Sequence, residues 1–440
     1  MTRDLTDPYA QLPPRPVPSE NYTKEVTYRH TRAPVDLAVT LIPDAYTSQE
    51  FLAIEREKVF ASSWVVVGCT SQVEKSGQVI VAEVAGCSII VTRDKKDKLR
   101  AFHNVCRHRA TKLLDDGYQV VRNSRIRCPY HSWTYDLEGN CLGTPLFEGS
   151  DIPEDQQDIF GTSGVKGFDK ADYGLLPVGV ESWGFLIFVN LNPDAAPLEE
   201  YLGDLPERCS GYRLEEWRVV REKTYEIAAN YKLIGENFME FYHLPWVHPE
   251  LVQVSRMEDH YRWQGPGMYM GFCTTPISRN TEAGGWQELP PVGYLSGTDA
   301  ESGRFIWVFP NTAVNILPNH AFVMTTRPDG AGRAVEETFL LSHPESLESP
   351  SADKELDQLA KFWDLVNLQD IEIVERVQEG IHNPAYLGGR MCYRFEEPLH
   401  RFQNMIIDKM VGTDRMPPGD EEEMVQMFDS DRLGEEKSIQ

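Results

Sequence analysis

Residues 104–109 read Asn-Val-Cys-Arg-His-Arg, and residues 127–133 read Arg-Cys-Pro-Tyr-His-Ser-Trp. Each stretch carries one thiol and one imidazole, as Cys106-x-His108 and Cys128-x-x-His131, with nineteen residues between His108 and Cys128. Two cysteines and two histidines are a normal ligand set for structural zinc. Zinc fingers, however, usually place both cysteines before both histidines. Alternation suits a [2Fe–2S] cluster in which one iron takes two thiolates and the other two imidazoles. Spacing alone favours the cluster and leaves zinc open.

Around these loops the chain reads as a small antiparallel β domain. Short β-branched runs at Trp64–Cys69, Gln78–Val84 and Ser88–Thr92 are separated by glycine and charged turns, and the pattern continues to about residue 170. An amphipathic helix from Ser48, its N-cap, to Phe60 precedes them. Residues 1–45 hold seven prolines and are expected to form an extended arm that wraps a neighbour or stays mobile. Beyond residue 170, runs at Val178–Val180, Gly184–Asn190 and Trp217–Ala228 read as strands, and Leu198–Leu214 as a helix. Four more strands are expected at Arg304–Phe309, Thr312–Leu317, Ala321–Thr326 and Ala334–Ser342.

A second group of potential ligands lies in Asn230-Tyr-Lys-Leu-Ile-Gly-Glu-Asn-Phe-Met-Glu-Phe-Tyr-His-Leu-Pro-Trp-Val-His248. Residues 231–244 should be helical until Pro245, with Glu236, Glu240 and His243 on one face. His248 follows the proline, where a turn of the chain can bring it back toward His243. Two imidazoles and a carboxylate with positions left open are the arrangement of mononuclear non-haem Fe(II) oxygenases. The plainer alternative is a pair of solvated histidines.

A third ligand is sought on the glycine- and proline-free segment Ala352–Glu379, which reads as a long helix ended by Gly380. Leu356, Leu359, Trp363, Val366, Val374 and Val377 fall near one line on a helical wheel, and Asp370 lies at its centre. An aspartate within an apolar stripe needs a partner: a metal, a buried arginine, or a nearby turn that it caps.

Cys106-x-His108 with Cys128-x-x-His131, followed by Glu-Asn-x-x-Glu-x-x-His-x₄-His at 236–248, resembles the α subunit of the Rieske non-haem iron oxygenases over roughly residues 45–410. The resemblance implies an α+β fold. Its N-terminal part would be an antiparallel β Rieske domain at 46–170, with its leading helix at 48–60. A helix-grip-like antiparallel sheet with helices would follow as the catalytic domain at 171–412, between an arm at 1–45 and an acidic tail at 413–440. It implies a [2Fe–2S] cluster on Cys106, His108, Cys128 and His131, and a mononuclear Fe(II) on His243, His248 and Asp370. Members of the family form head-to-tail homotrimers in which a carboxylate joins a cluster histidine of one subunit to an iron-ligand histidine of the next. That carboxylate would be Glu240, between His131 of a neighbour and His243. Asn237 is expected near the iron.

Ring-hydroxylating dioxygenases of this family usually bridge with Asp. Glu240 resembles instead the branch that mono-oxygenates quaternary ammonium compounds such as glycine betaine, carnitine and choline. A trimethylammonium group favours an aromatic surround, for which Trp246, Tyr269, Phe272, Trp307 and Phe309 are candidates, with ordinary core packing as the alternative. The expected function is a terminal oxygenase component that uses O₂ to hydroxylate or N-demethylate a small quaternary ammonium substrate. No G-x-G-x-x-G fingerprint occurs, so electrons would come from a separate flavin and iron–sulfur NAD(P)H reductase. The alternatives are an aromatic ring-hydroxylating dioxygenase α subunit, and a Rieske protein limited to electron transfer or redox sensing.

Composition narrows the partners. The 440 residues carry 43 Lys and Arg against 68 Asp and Glu, a net charge of −25, which disfavours nucleic acid and anionic membrane. There is no apolar run of about 18 residues to span a bilayer, and the first twenty residues match neither a signal nor a transit peptide, so a cytoplasmic location is expected. Eight scattered cysteines are too few for a disulfide scaffold and fit reduced thiols. The tail from Arg415 is expected to be solvated or intersubunit, without chemistry.

Overall fold

The structure is a computed structural model that describes Leu12 and residues 15–249, 251–253, 255–275 and 289–426. The chain divides into two compact units, Val65–Ala195 and a second that joins the chain up to Trp64 with the chain from Ala196.

The Val65–Ala195 unit is built from strands β1 (Val65–Cys69), β2 (Gln78–Val84), β3 (Cys87–Arg93), β4 (Leu99–His103), β5 (Gly117–Val120), β6 (Arg125–Arg127), β7 (Thr134–Asp136), β8 (Cys141–Gly143), β9 (Pro177–Trp183) and β10 (Leu186–Asn190). Seven of them form one antiparallel sheet in the order β1-β10-β9-β4-β3-β2-β5, and β6-β7-β8 form a second, small sheet. The domain boundaries expected at 46 and 170 are therefore displaced. Strand β9 pairs with β4 and β10 with β1, so the unit closes only after Asn190. The leading helix belongs to the other unit. Ser48 does cap it, accepting from Phe51 N–H at 3.2 Å.

The second unit contains β11 (Arg218–Ile227), β12 (His260–Arg262), β13 (Tyr269–Thr274), β14 (Gly303–Val308), β15 (Thr312–Ile316), β16 (Ala321–Pro328), β17 (Ala334–Ser342) and β18 (Val425–Gln426). They make one antiparallel sheet in the order β11-β17-β16-β15-β14-β13-β12-β18. The Ala352–Ile381 helix runs beside β11, held by Arg221 on Asp357 (2.8 Å) and by the Tyr225 hydroxyl on Asp364 (2.5 Å). Most of its expected apolar stripe is buried, but Val377 is 42% exposed. The neighbouring Gln378 turns inward instead, donating to Tyr46 O at 3.1 Å and accepting from Asn230 N–H at 2.8 Å.

Three further expectations are corrected. The helix expected over Leu198–Leu214 is broken after Leu202, where Gly203 takes φ +61° and a Cβ would meet the Pro266 carbonyl at 1.8 Å. The described part of the N-terminal arm does not stand free. It packs on its own unit through buried Tyr22, Tyr28 and Val35 and an Arg32–Asp408 ion pair at 2.6 Å. Proline content favours an extended path, but these apolar side chains dock it. Part of the tail docks too: Asp420 accepts from Arg262 at 2.8 Å, and β18 extends the sheet beside β12. Residues 427–440 lie outside the described ones. Among the described residues no helix is long and apolar enough to cross a membrane.

Candidate metal centres and substrate cavity

In the Val65–Ala195 unit, both proposed cluster loops have the same backbone shape. The carbonyl of Cys106 accepts from Ala110 N–H and that of Cys128 from Ser132 N–H, each at 3.1 Å. Ala110 and Ser132, each four residues past its cysteine, take left-handed φ values of 56° and 60°. Both cysteines are buried in a core with Trp133 and Tyr135. Trp133 stacks on His108 at 5.0 Å, and the two imidazoles meet edge-on at 4.7 Å. Burial raises the Cys106 thiol pKa. At Cys128 burial acts in the same direction but is outweighed, chiefly by hydrogen bonds from the backbone N–H groups of Tyr130 and His131, and its pKa falls.

The ring nitrogens Nδ1 of His108 and His131 are both buried without a hydrogen-bond partner. Buried polar atoms are rarely left so. Two orphaned imidazole nitrogens beside two buried thiols fit a cluster that takes two nitrogens and two sulfurs. Among the described residues, the four do not form a group whose ligand atoms all lie within 4.8 Å of one another, as a single zinc would require.

In the second unit the local fold departs from expectation. The Tyr231–Phe238 helix ends well before Pro245, and the chain turns before a short Leu244–Val247 helix. Glu240 explains the break. Its carboxylate accepts from the backbone N–H groups of Tyr242 and His243, a local bond that competes with continued helix. Glu236 consequently does not share a face with Glu240. It is buried, accepting from the Tyr46 hydroxyl at 2.7 Å and from Gln403 at 2.9 Å. The start of the helix is held by Asn230, whose side chain accepts from Lys232 N–H. Its body is anchored by the fully buried Lys232–Glu55 pair at 3.0 Å. Gly235 lets it lie on Trp307, whose ring a Cβ would meet at 2.7 Å.

The turn brings His243 and His248 to Asp370. Ligand atoms from these three residues lie within 4.8 Å of one another. His248 Nε2 is 2.8 Å and His243 Nε2 3.5 Å from the same Asp370 oxygen. Bonds of about 2.1 Å at roughly right angles place neighbouring ligand atoms about 3 Å apart, so the trio fits one metal ion. The opposite ring nitrogens are held as well. Nδ1 of His243 is bonded to Glu240 at 2.5 Å and Nδ1 of His248 to Gln369 at 2.8 Å, while Asn237 donates to Asp370 at 2.7 Å. These contacts set the Nε2 atoms toward the metal position. Burial would lower the His243 pKa, but the hydrogen bond and charge of Glu240 outweigh it and the pKa rises.

A cavity opens beside this trio. Its lining includes Asn237, Phe238, Glu240, Phe272, Phe305, Asn315, Phe322, Met324 and Trp363. One wall is a single cross-strand row, Phe272–Phe305–Asn315–Phe322, set by the register of β13 to β16. Phe272 stacks on Phe305 at 5.0 Å and Phe322 on Trp363 at 4.7 Å.

Of the expected pocket residues, Asn237 and Phe272 line this cavity and four do not. Trp246 is 72% exposed. Tyr269, an odd number of residues from Phe272, faces away from it and bonds Asp204 at 2.5 Å. Trp307 is on the same face as Phe305 but is covered by Gly235, and Phe309 packs on Phe402. Sequence reasoning missed Gln369, Phe238, Phe305, Asn315, Phe322 and Trp363. Their signal is strand register and helical phase relative to Asp370, and register is fixed only once the sheet is assembled.

Two family models match the chain: the Rieske [2Fe-2S] domain over residues 63–154 and the ring hydroxylating alpha subunit catalytic domain over residues 214–412. The chain is a Rieske-type non-haem iron oxygenase. This oxygenase is 28% identical over 397 residues to the glycine betaine monooxygenase oxygenase subunit of Chromohalobacter salexigens, covering 83% of this chain and 84% of the relative. It is 29% identical to the carnitine monooxygenase oxygenase subunit of Acinetobacter baumannii over 362 residues, 80% and 88% of the two chains. Its fold matches that of a quaternary ammonium Rieske monooxygenase solved with L-carnitine (TM-score 0.68, 23% identity, 90% and 99% covered). It also matches a Rhodococcus naphthalene 1,2-dioxygenase (TM-score 0.68, 20% identity, 89% and 100% covered). Membership implies a Rieske cluster and a mononuclear iron as cofactors, and a separate reductase as electron source.

Proposed function

We propose that this oxygenase mono-oxygenates a small quaternary ammonium compound, by hydroxylation or N-demethylation, in the cavity beside His243, His248 and Asp370. The observation that carries the reading is the cavity wall: stacked phenylalanine faces next to a carboxylate-bearing metal position favour a cation with methyl groups. The names of the related glycine betaine, carnitine and choline monooxygenases support it.

In this reading Cys106, His108, Cys128 and His131 hold the cluster, and His243, His248 and Asp370 hold the iron. When bound, the cluster would store and pass on electrons from the reductase and the mononuclear iron would supply the O₂ chemistry. The protein's own part is geometric. Glu240 and Gln369 fix the two imidazole tautomers, Asn237 fixes the carboxylate, and the aromatic row excludes water and presents a methyl group. Glu240 has a second role in a homotrimer, joining His243 to His131 of the neighbouring subunit, which the sequence motif supports.

Reductase-coupled O₂ uptake with product analysis tests the substrate. Turnover of betaine-, carnitine- or choline-type compounds is expected; turnover of aromatic hydrocarbons or acids alone would overturn it in favour of a ring-hydroxylating dioxygenase. Metal analysis separates the oxygenase from a pure electron carrier: about three irons per loaded chain are expected, against two for a cluster alone.

A further inference from the structure

Asn315 stands in the middle of the aromatic row, between Phe305 and Phe322. It is 3% exposed, lines the cavity, and its Oδ1 has no hydrogen-bond partner. An amide placed among phenylalanines and left unbonded is unfavourable unless something else completes it.

The other polar groups around the cavity are already engaged. Asn367 donates to Glu336 at 2.6 Å, Trp363 to His320 at 2.9 Å, and Asn237 to Asp370 at 2.7 Å. Ser255 bonds Thr274 at 2.9 Å, and His260 bonds the Arg256 carbonyl at 2.7 Å. Burial pushes His260 down to about 4, so it is neutral. No Lys or Arg lines the cavity among the described residues.

We propose that the Asn315 carboxamide is the polar anchor of the substrate, hydrogen-bonding an oxygen of a trimethylammonium compound whose cationic end lies against the phenylalanine faces. Resting on the substrate class given above, this makes Asn315 a specificity-determining residue that selects oxygen-bearing cations over bare ones. The unbonded Oδ1 can accept from a hydroxyl, and the Nδ2 of the same carboxamide can donate to a carboxylate or hydroxyl oxygen, so alcohols and zwitterions are both candidates.

Calorimetric binding of choline, glycine betaine and tetramethylammonium to the loaded wild-type enzyme and to Asn315→Leu tests the assignment without turnover. Tetramethylammonium has no oxygen and serves as the internal control. In the wild type, choline or glycine betaine should bind about tenfold more tightly than tetramethylammonium, the worth of one good hydrogen bond. In Asn315→Leu that ratio should shrink to within about twofold, while tetramethylammonium affinity holds or improves. Asn315→Thr, which restores a hydroxyl, should recover part of the ratio and guards against misfolding of the leucine variant. An unchanged ratio in Asn315→Leu overturns the anchor alone. Failure of the wild type to bind any of the three overturns the quaternary ammonium reading and the anchor with it.

Discussion

Glu240 and Gln369 do the same local work on two different histidines, and this permits a sharp experiment. Each accepts from the Nδ1 of an imidazole proposed to hold iron, at 2.5 Å and 2.8 Å. Only Glu240 is proposed to reach a neighbouring subunit as well. Gln369→Leu removes an orienting contact and nothing else, so iron affinity should fall about 10–100-fold, with turnover restored at saturating iron. Glu240→Gln keeps the shape and one acceptor oxygen but exchanges a charge-assisted bond to His243 for a neutral one. That difference is about 1 kcal/mol, roughly fivefold in iron affinity. The iron site should therefore load readily, and the cluster's visible absorption should be unchanged. Coupled turnover should nevertheless drop by orders of magnitude and should not recover with added iron. The assay is product formation with reductase and NAD(P)H, run beside metal analysis of the same samples. Near wild-type turnover of iron-loaded Glu240→Gln would refute the bridging role and reduce Glu240 to the status of Gln369.

Asp370→Ala should lower the iron content from about three to about two per chain while the cluster spectrum persists, because the two centres use separate residues. His131→Cys should lower the cluster potential by a few hundred millivolts in a voltammetric titration, since imidazole ligation is what raises it. Lys232→Met leaves Glu55 as an unpaired carboxylate at 0% exposure and should cost about 3–5 kcal/mol in urea denaturation. Adding Glu55→Gln to that variant should recover much of the loss. Glu236 is raised by burial from 4.5 to about 7, tempered by hydrogen bonds from Tyr46 and Gln403. Its folded pKa lies above the unfolded one, so the wild type should lose stability as pH rises from about 4.5 to about 7. Glu236→Gln, whose amide oxygen can accept both bonds, should flatten that slope and be the more stable protein at pH 8. Chemical denaturation of both at pH 5 and pH 8 reads the difference.

The proposed cluster ligands were legible because their chemistry is local. Cys106, His108, Cys128 and His131 declare themselves by spacing, and the paired loops need little beyond the sequence to bring them together. Asp370 was legible for another reason: helical periodicity projects a 30-residue helix onto a single face, and a carboxylate on that face stands out. The second-unit strands were also readable, with β17 matching its expected bounds. Side-chain competition for the backbone was not readable. Glu240 ends a helix that propensity alone would continue to Pro245, and this separates Glu236 from the iron site. The aromatic pocket was the least legible part. Tyr269 and Phe272 are equally plausible by composition, and only strand phase distinguishes the one that faces the cavity. Trp307 has the correct phase and is still excluded, because Gly235 brings a helix down over it.

The cavity row and the metal trio rest on different supports. Phe272, Phe305, Asn315 and Phe322 project from a rigid sheet, whereas His243, His248 and Asp370 come from a turn and a long helix packed against it. Relatives can therefore diverge in what they oxidise by exchanging side chains along that one rung, leaving the redox hardware intact. For an engineer, the same rung is the place to randomise first when a new amine is wanted.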